Sequence, residues 1–430
     1  MAQLTRRGLL GATAAAGIAG IVACDGDEKA APAAAPPLDP KDWASVRAQF
    51  ALPADVAHLS TYVFAPHPAV VREAIAKHRD GLDRDPNGYL AANEVRLDEA
   101  VAAGAAKHLA TDAARIAFTD STTMGLGLLY GGLRLAAGDE ILTTEHDFYA
   151  THESLRLRTE RDGATVRRVT LYADPAKATV DEIVSNLVAA VGPRTKVVAV
   201  TWVHSSTGVR LPIRAMADAL RAKNDEALLC VDGVHGFGAV DETPDQLGCD
   251  FLVSGCHKWL LGPRGTGLVW GSERGWARFV PTIPPFAAES FRIWFGFGTD
   301  PPAAGPAATP GGYHSFEHRW ALADAFDLHD RIGRDRVAAR TRDLATRLKE
   351  GLAGIDGVTL VTPRAADLSA GVVCCQVRGV DPGQAVTRLR QASVVASATP
   401  YRTSFLRFGA TIANDEGQVD TAVRAVRALL

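Results

Sequence analysis

What the chain has little of narrows the field first. Neither sign of charge dominates: 46 Lys and Arg stand against 49 Asp and Glu, for a net charge of -3. No basic face therefore points to nucleic acid, whose phosphates demand one. Internal repeats are absent, which excludes solenoids and propellers. Cysteine is scarce at six residues, and setting Cys24 aside leaves an odd five. Cys230 lies in an apolar run and Cys374 and Cys375 are adjacent, so neither a disulfide framework nor a zinc site is written here. The apolar run over residues 8–23 is too short and too glycine-rich to make a stable membrane span. What is present is 430 residues, 47% of them hydrophobic, enough for two domains with sizeable cores.

The first 37 residues read as an address rather than as fold. Arg6 and Arg7 precede the weakly apolar, Ala- and Gly-rich run, as in a secretory signal. Thr5-Arg6-Arg7-Gly8-Leu9-Leu10 resembles a twin-arginine signal, read by a translocase that exports folded proteins. Ile21-Val22-Ala23-Cys24 resembles a lipobox, which makes Cys24 the expected lipid anchor; cleavage near Ala23 without a lipid is the alternative. The Ala/Pro-rich stretch up to Pro37 is then a flexible tether. The expected location is the periplasm, free or tethered to the inner membrane.

Beyond the tether, short β-rich runs alternate with helical stretches. Strands are expected at 115–119, 140–143, 165–171, 196–203, 227–231, 250–253 and 267–270. Several are continuously apolar rather than alternating, which suggests burial on both faces of a mostly parallel sheet. The stretch 212–223 reads as a helix that opens on a proline. The fold class is α/β, with a large domain over residues 59–312. The Pro-, Gly- and aromatic-rich segment 286–312 reads as a long ordered loop. A helix is expected over 317–352 and strands over 358–361 and 371–377, giving a smaller α+β domain at 313–430. Residues 38–58 are expected to pack against that smaller domain.

Three constellations carry chemistry. In Ser254-Gly255-Cys256-His257-Lys258-Trp259, a lysine directly follows a buried strand. Burial disfavours its charged form, and a neutral lysine can form an imine with an aldehyde cofactor. Alone, it reads more readily as a surface lysine before a glycine turn. In Cys230-Val231-Asp232-Gly233-Val234-His235, an aspartate ends a buried strand, where α/β sheets place functional groups. Such a carboxylate can keep a pyridine nitrogen protonated, or merely cap a turn. Thr119-Asp120-Ser121-Thr122-Thr123-Met124-Gly125 opens a helix whose free N–H groups suit a phosphate, or an ordinary cap. The joint occurrence, in this order, is the specific signal.

These motifs, with Gly262-Pro263-Arg264-Gly265, resemble the class V aminotransferases, in the branch that includes isopenicillin N epimerase and cysteine-desulfurase-like proteins. The resemblance runs from about Leu59 to the C-terminus. It implies the type I pyridoxal-phosphate fold, a homodimer with its active site at the interface, and a small amino-acid substrate. It makes Lys258 the Schiff-base lysine, Asp232 the partner of the pyridine nitrogen, and His146 the imidazole stacked on the ring. His235 and Ser205 would meet the phenolic oxygen, with phosphate as the alternative for His235. Thr122, Thr123 and His257 would be phosphate ligands, and Thr309 would reach the phosphate of the neighbouring subunit. Arg407, seven residues before Asn414, matches the substrate-carboxylate clamp, with Arg402 the lesser candidate. Departures are Met124, where relatives carry an acid, and Gly255, where several carry serine. The stretch 393–401 lacks the mobile cysteine of desulfurases, which disfavours that activity.

The expected function is therefore a pyridoxal-phosphate enzyme acting at Cα of an amino acid or a derivative, by epimerase, racemase or lyase chemistry. An aminotransferase and a non-catalytic exported scaffold are the alternatives. Epimerisation needs a second base, for which His204, Tyr62, Tyr89 and His314 are candidates. The aromatic residues of 291–297 are expected either at the site or in the dimer interface.

Overall fold

The computed structural model describes residues 35–430, so the expected signal and Cys24 lie outside the described residues. Residues 37–430 form one compact unit. Thirteen strands are present in it. A short β1 (Ala57–His58) follows the helix Trp43–Arg47. The large sheet takes β2 (Ile116–Thr119), β3 (Glu140–Thr144), β4 (Thr165–Val169), β5 (Thr195–Thr201), β6 (Leu228–Asp232), β7 (Phe251–Gly255) and β8 (Gly267–Gly271). Then come β9 (Val358–Leu360), β10 (Val372–Val377), β11 (Val394–Val395), β12 (Ser397–Ala398) and β13 (Leu406–Gly409).

The large sheet runs in the order β2-β8-β7-β6-β5-β3-β4. All its neighbours pair in parallel except at β8, which is antiparallel to both β2 and β7. The middles of its central strands are continuously apolar because successive residues enter opposite cores. Val198, Val200, Leu229, Val231 and Leu252 face one core, while Val197, Ala199, Leu228, Cys230 and Val253 face the other. β4 is the outer edge and is largely exposed. β12, β13, β10 and β9 make a separate antiparallel sheet over a core that includes Leu344, Leu348, Phe408 and Val426.

Residues 38–58 touch two of these bodies. Val46 and Phe50 pack with Leu328, Ile332 and Val337, while β1 pairs in parallel with β11. The segment 286–312 is not all loop: it holds the short helices Ala288–Trp294 and Ala304–Ala308. The helix expected over 317–352 is three helices, Phe316–Trp320, Leu322–Ile332 and Arg334–Ala353. Its second break falls at Gly333, whose φ of 97° lies outside the helical range.

Candidate active site

Parallel strands deliver their functional groups at their carboxyl ends, and here β6 and β7 lie side by side. Asp232 is the last residue of β6 and Lys258 follows β7 by three residues. The loop carrying the lysine is pinned. Cys256 N–H donates to Thr266 O at 2.9 Å, Gly262 N–H to Cys256 O at 2.9 Å and Leu261 N–H to Lys258 O at 3.1 Å. The turn holds Leu261 at φ 58°, a conformation costly for a leucine that persists only where the surroundings over-determine it.

Asp232 is 2% exposed, and its Oδ1 accepts from Val234 N–H at 3.0 Å. Its Oδ2 has no donor among the described residues, and neither does the Lys258 ammonium have an acceptor. Burial pushes the Asp232 carboxyl up and the Lys258 ammonium down, while the charge of each opposes the shift of the other. The carboxylate oxygen is thus free for a protonated ring nitrogen, and the amine is ready to lose its proton and attack an aldehyde carbon.

Three imidazoles surround the pair. The Trp259 indole N–H donates to His235 Nδ1 at 3.1 Å. Indole nitrogen only donates, so Nδ1 accepts and the neutral ring carries its proton on Nε2. Burial and the Lys258 charge hold the His235 pKa low, consistent with that neutral form. His146 is half-buried and lies parallel to Tyr172, with centroids 4.4 Å apart and planes inclined by 10°. One face of His146 is thereby used. His257 Nδ1 is buried without a partner.

Around the expected phosphate position, Ser121 caps the helix Thr122–Gly132 by accepting from Met124 N–H. Thr122 is buried with its hydroxyl oxygen accepting from Gly255 N–H at 2.7 Å, while Thr123 is exposed. A Cβ at Gly255 would come 2.8 Å from His257 Cε1 and 3.1 Å from Thr122 Oγ1. A serine has no room there: the histidine ring fills the space. Ser254 is no substitute, since it is buried in β7 and donates to Gly255 O. Thr309 Oγ1 accepts from Phe118 N–H at 3.1 Å and donates to Gly305 O at 3.2 Å.

Arg407 projects from β13 and is 5% exposed. Its Nη1 donates to Ser205 O at 3.2 Å, its Nε to Ser397 Oγ at 3.1 Å, and the guanidinium lies 5.5 Å over the Tyr62 ring. No carboxylate pairs with it among the described residues, which is unusual for a buried cation and fits an anionic ligand. Ser205 Oγ hydrogen-bonds Tyr401 Oη at 2.6 Å. Arg402 is exposed on a groove of about 890 Å³ beside Tyr401. Of the second-base candidates, Tyr62 and His204 are fully buried and hydrogen-bonded to Ser397 and Tyr172. Tyr89 bonds His78 Nδ1 at 3.0 Å, and His314 lines a cavity with Thr309 and Arg319.

Tyr172, Tyr401 and Ser397 escape a reading of motifs. Only the folded chain brings them in, Tyr172 and Tyr401 through hydrogen bonds to the 204–209 turn and Ser397 through its bond to Arg407.

The model of the family described as aminotransferase class-V matches residues 93–421. The isopenicillin N epimerase of Streptomyces clavuligerus is 28% identical over 408 residues, 90% of this chain and 98% of that protein. A probable cysteine desulfurase of Pseudomonas putida is 31% identical over 288 residues, 62% of this chain and 70% of that protein. A solved structure of C-DES, with glycine covalently linked to its PLP cofactor, superposes with a TM-score of 0.79 at 22% identity. It covers 89% of this chain and 98% of that one, and shows the type I fold. With a family match spanning most of its length, the protein belongs to the class V aminotransferases.

Proposed function

We propose that the protein binds pyridoxal phosphate covalently at Lys258 and acts at Cα of an amino acid or an amino-acid derivative, by epimerase, racemase or lyase chemistry. The cofactor is that of the family's fold, and when bound it supplies the electron sink that makes a Cα proton acidic. The observation that carries the reading is the buried, acid-free guanidinium of Arg407 on the same site as the free Lys258 amine and the open Asp232 oxygen. Arg407 takes the substrate carboxylate, Asp232 keeps the ring nitrogen protonated, and Lys258 moves the proton at Cα. His146 covers a ring face, and the Thr122–Gly132 helix start with His257 receives the phosphate. The likeness to the epimerase over nearly its whole length favours a change at Cα over amino-group transfer.

The test is an absorbance spectrum of the purified protein beside Lys258→Ala, with a panel of L- and D-amino acids added. A near-visible cofactor band that moves with an amino acid and is lost in the variant supports the reading. No band in the wild type after adding pyridoxal phosphate refutes it. Deuterium gained at Cα from D2O without formation of a keto acid separates epimerisation from transamination.

Two further proposals concern partners and place. A second copy of the chain covers the exposed aromatic residues Trp294, Phe295, Phe297 and Tyr313. The N-terminal motifs support a location outside the cytoplasm with a lipid on Cys24. Incorporation of labelled palmitate, abolished in Cys24→Ala, is the expected result for that anchor.

A further inference from the structure

We infer that Tyr172 is a positioning residue that fixes the plane of the His146 ring against the cofactor; this rests on the cofactor site proposed above. The ring nitrogens of His146 have no hydrogen-bond partner among the described residues, so no directional bond sets its orientation. Its parallel neighbour is Tyr172, at 4.4 Å and 10°; His204 lies farther off, at 5.4 Å and 34°. Stacking therefore decides how the imidazole presents its other face.

Tyr172 is itself held. It is buried in the large core, and its hydroxyl meets His204 Nδ1 at 2.8 Å and Thr207 Oγ1 at 3.0 Å. Both partners belong to the tight turn closed by Gly208 N–H to His204 O at 2.7 Å and His204 N–H to Val209 O at 2.9 Å. The same turn carries Ser205, whose carbonyl accepts from Arg407. One rigid turn thus sets both the ring that covers the cofactor and the cation that takes the substrate carboxylate. A phenylalanine would fill the core equally well; the doubly bonded hydroxyl serves to stop the ring from tilting.

The experiment is a double-mutant cycle on the cofactor-loaded enzyme, read by the circular dichroism of the bound cofactor and by the rate of pyridoxal phosphate release. Tyr172→Leu is expected to speed release about tenfold and weaken the cofactor's dichroism, and Tyr172→Phe, which loses only the two hydroxyl bonds, to change both in the same direction by about threefold. In a His146→Ala background both substitutions should have no effect on either readout. Equal effects in the two backgrounds, or none in either, would overturn the inference. Should the leucine variant not fold, the phenylalanine cycle decides by the same criterion. Loss of a merely structural residue lowers the melting temperature in both backgrounds alike. A wild type that binds no cofactor would instead refute the site itself.

Discussion

Replacing Arg407 by methionine keeps the stem that packs on Tyr62 and removes the charge. Of five N–H donors, one is spent on Ser205 O and one on Ser397 Oγ, which leaves three for a ligand. Two of these can meet a carboxylate side by side. A hydrogen bond to a charged group contributes about 1.5–3 kcal/mol, so losing the fork costs about 3 kcal/mol or somewhat more, a weakening of about 150-fold. The assay is a titration of the cofactor band, comparing an amino acid with the amine of the same side chain that lacks the carboxylate. The amino acid should lose its affinity in Arg407→Met and the amine should keep its own within about threefold. Without substrate the variant should melt no lower than wild type, since a buried cation with no acid opposite contributes little to folding. Equal losses for amine and amino acid would refute the assignment, because the guanidinium would then be supporting the pocket rather than reading the carboxylate.

Gly208, at φ 77°, faces Thr362 Oγ1 and Val372 O, which an added Cβ would approach to 2.4 and 2.6 Å. Gly208→Ala should cost roughly 3 kcal/mol, read as a lower urea midpoint; an unchanged midpoint would contradict the packing. Burial lowers His204 and His329 to about 3, against about 6.5 in the unfolded chain. Folded values below unfolded ones leave stability whole above pH 6.5 and erode it as pH falls toward 3, by about 2 kcal/mol per histidine at pH 5. His329→Phe should therefore remove about half of that slope in denaturant titrations at pH 7 and pH 5, and a slope that did not change would count against it. Trp294 is 76% exposed, Phe297 73% and Tyr313 87%. Light scattering should report a dimer for the wild type and a monomer for Trp294→Glu, and a monomeric wild type would remove that proposal.

The central strands were legible because burial on both faces leaves an unbroken apolar run, 197–200 in β5 and 228–231 in β6. Their limits shifted by a residue or two, since the end of a strand depends on which neighbour still pairs with it. The reversal of β8 was not legible: Gly267–Gly271 is as apolar as a parallel strand, and only the short turn after Lys258 forces the chain back. Lys258 and Asp232 stood out because each stands at the end of a buried strand and they occur together with the Thr122 motif, whereas Arg407 was singled out only by the family resemblance. Tyr172 and Tyr401 did not stand out, since a tyrosine near a strand end reads as ordinary packing. Ser205 looked like a ligand from its motif, yet the packing gives its hydroxyl to Tyr401 and its carbonyl to Arg407.

Tyr62 lies between the Trp259 ring, stacked at 5.1 Å, and the Arg407 guanidinium, while β1 just before it pairs with β11. The floor of the site is thus knitted from the two ends of the described chain. During synthesis Tyr62 emerges before its partners Ser397 on β12 and Arg407 on β13, which follow it by more than three hundred residues. A truncated nascent chain can hold the large sheet, with Lys258 and Asp232 in place, but not the clamp proposed at Arg407. Closing so long a loop is slow, and until it closes the apolar floor stands open to aggregation. The carboxylate site proposed at Arg407 therefore forms only after β13 has been made, later than the pairing of β6 with β7 that sets Asp232 beside the lysine loop.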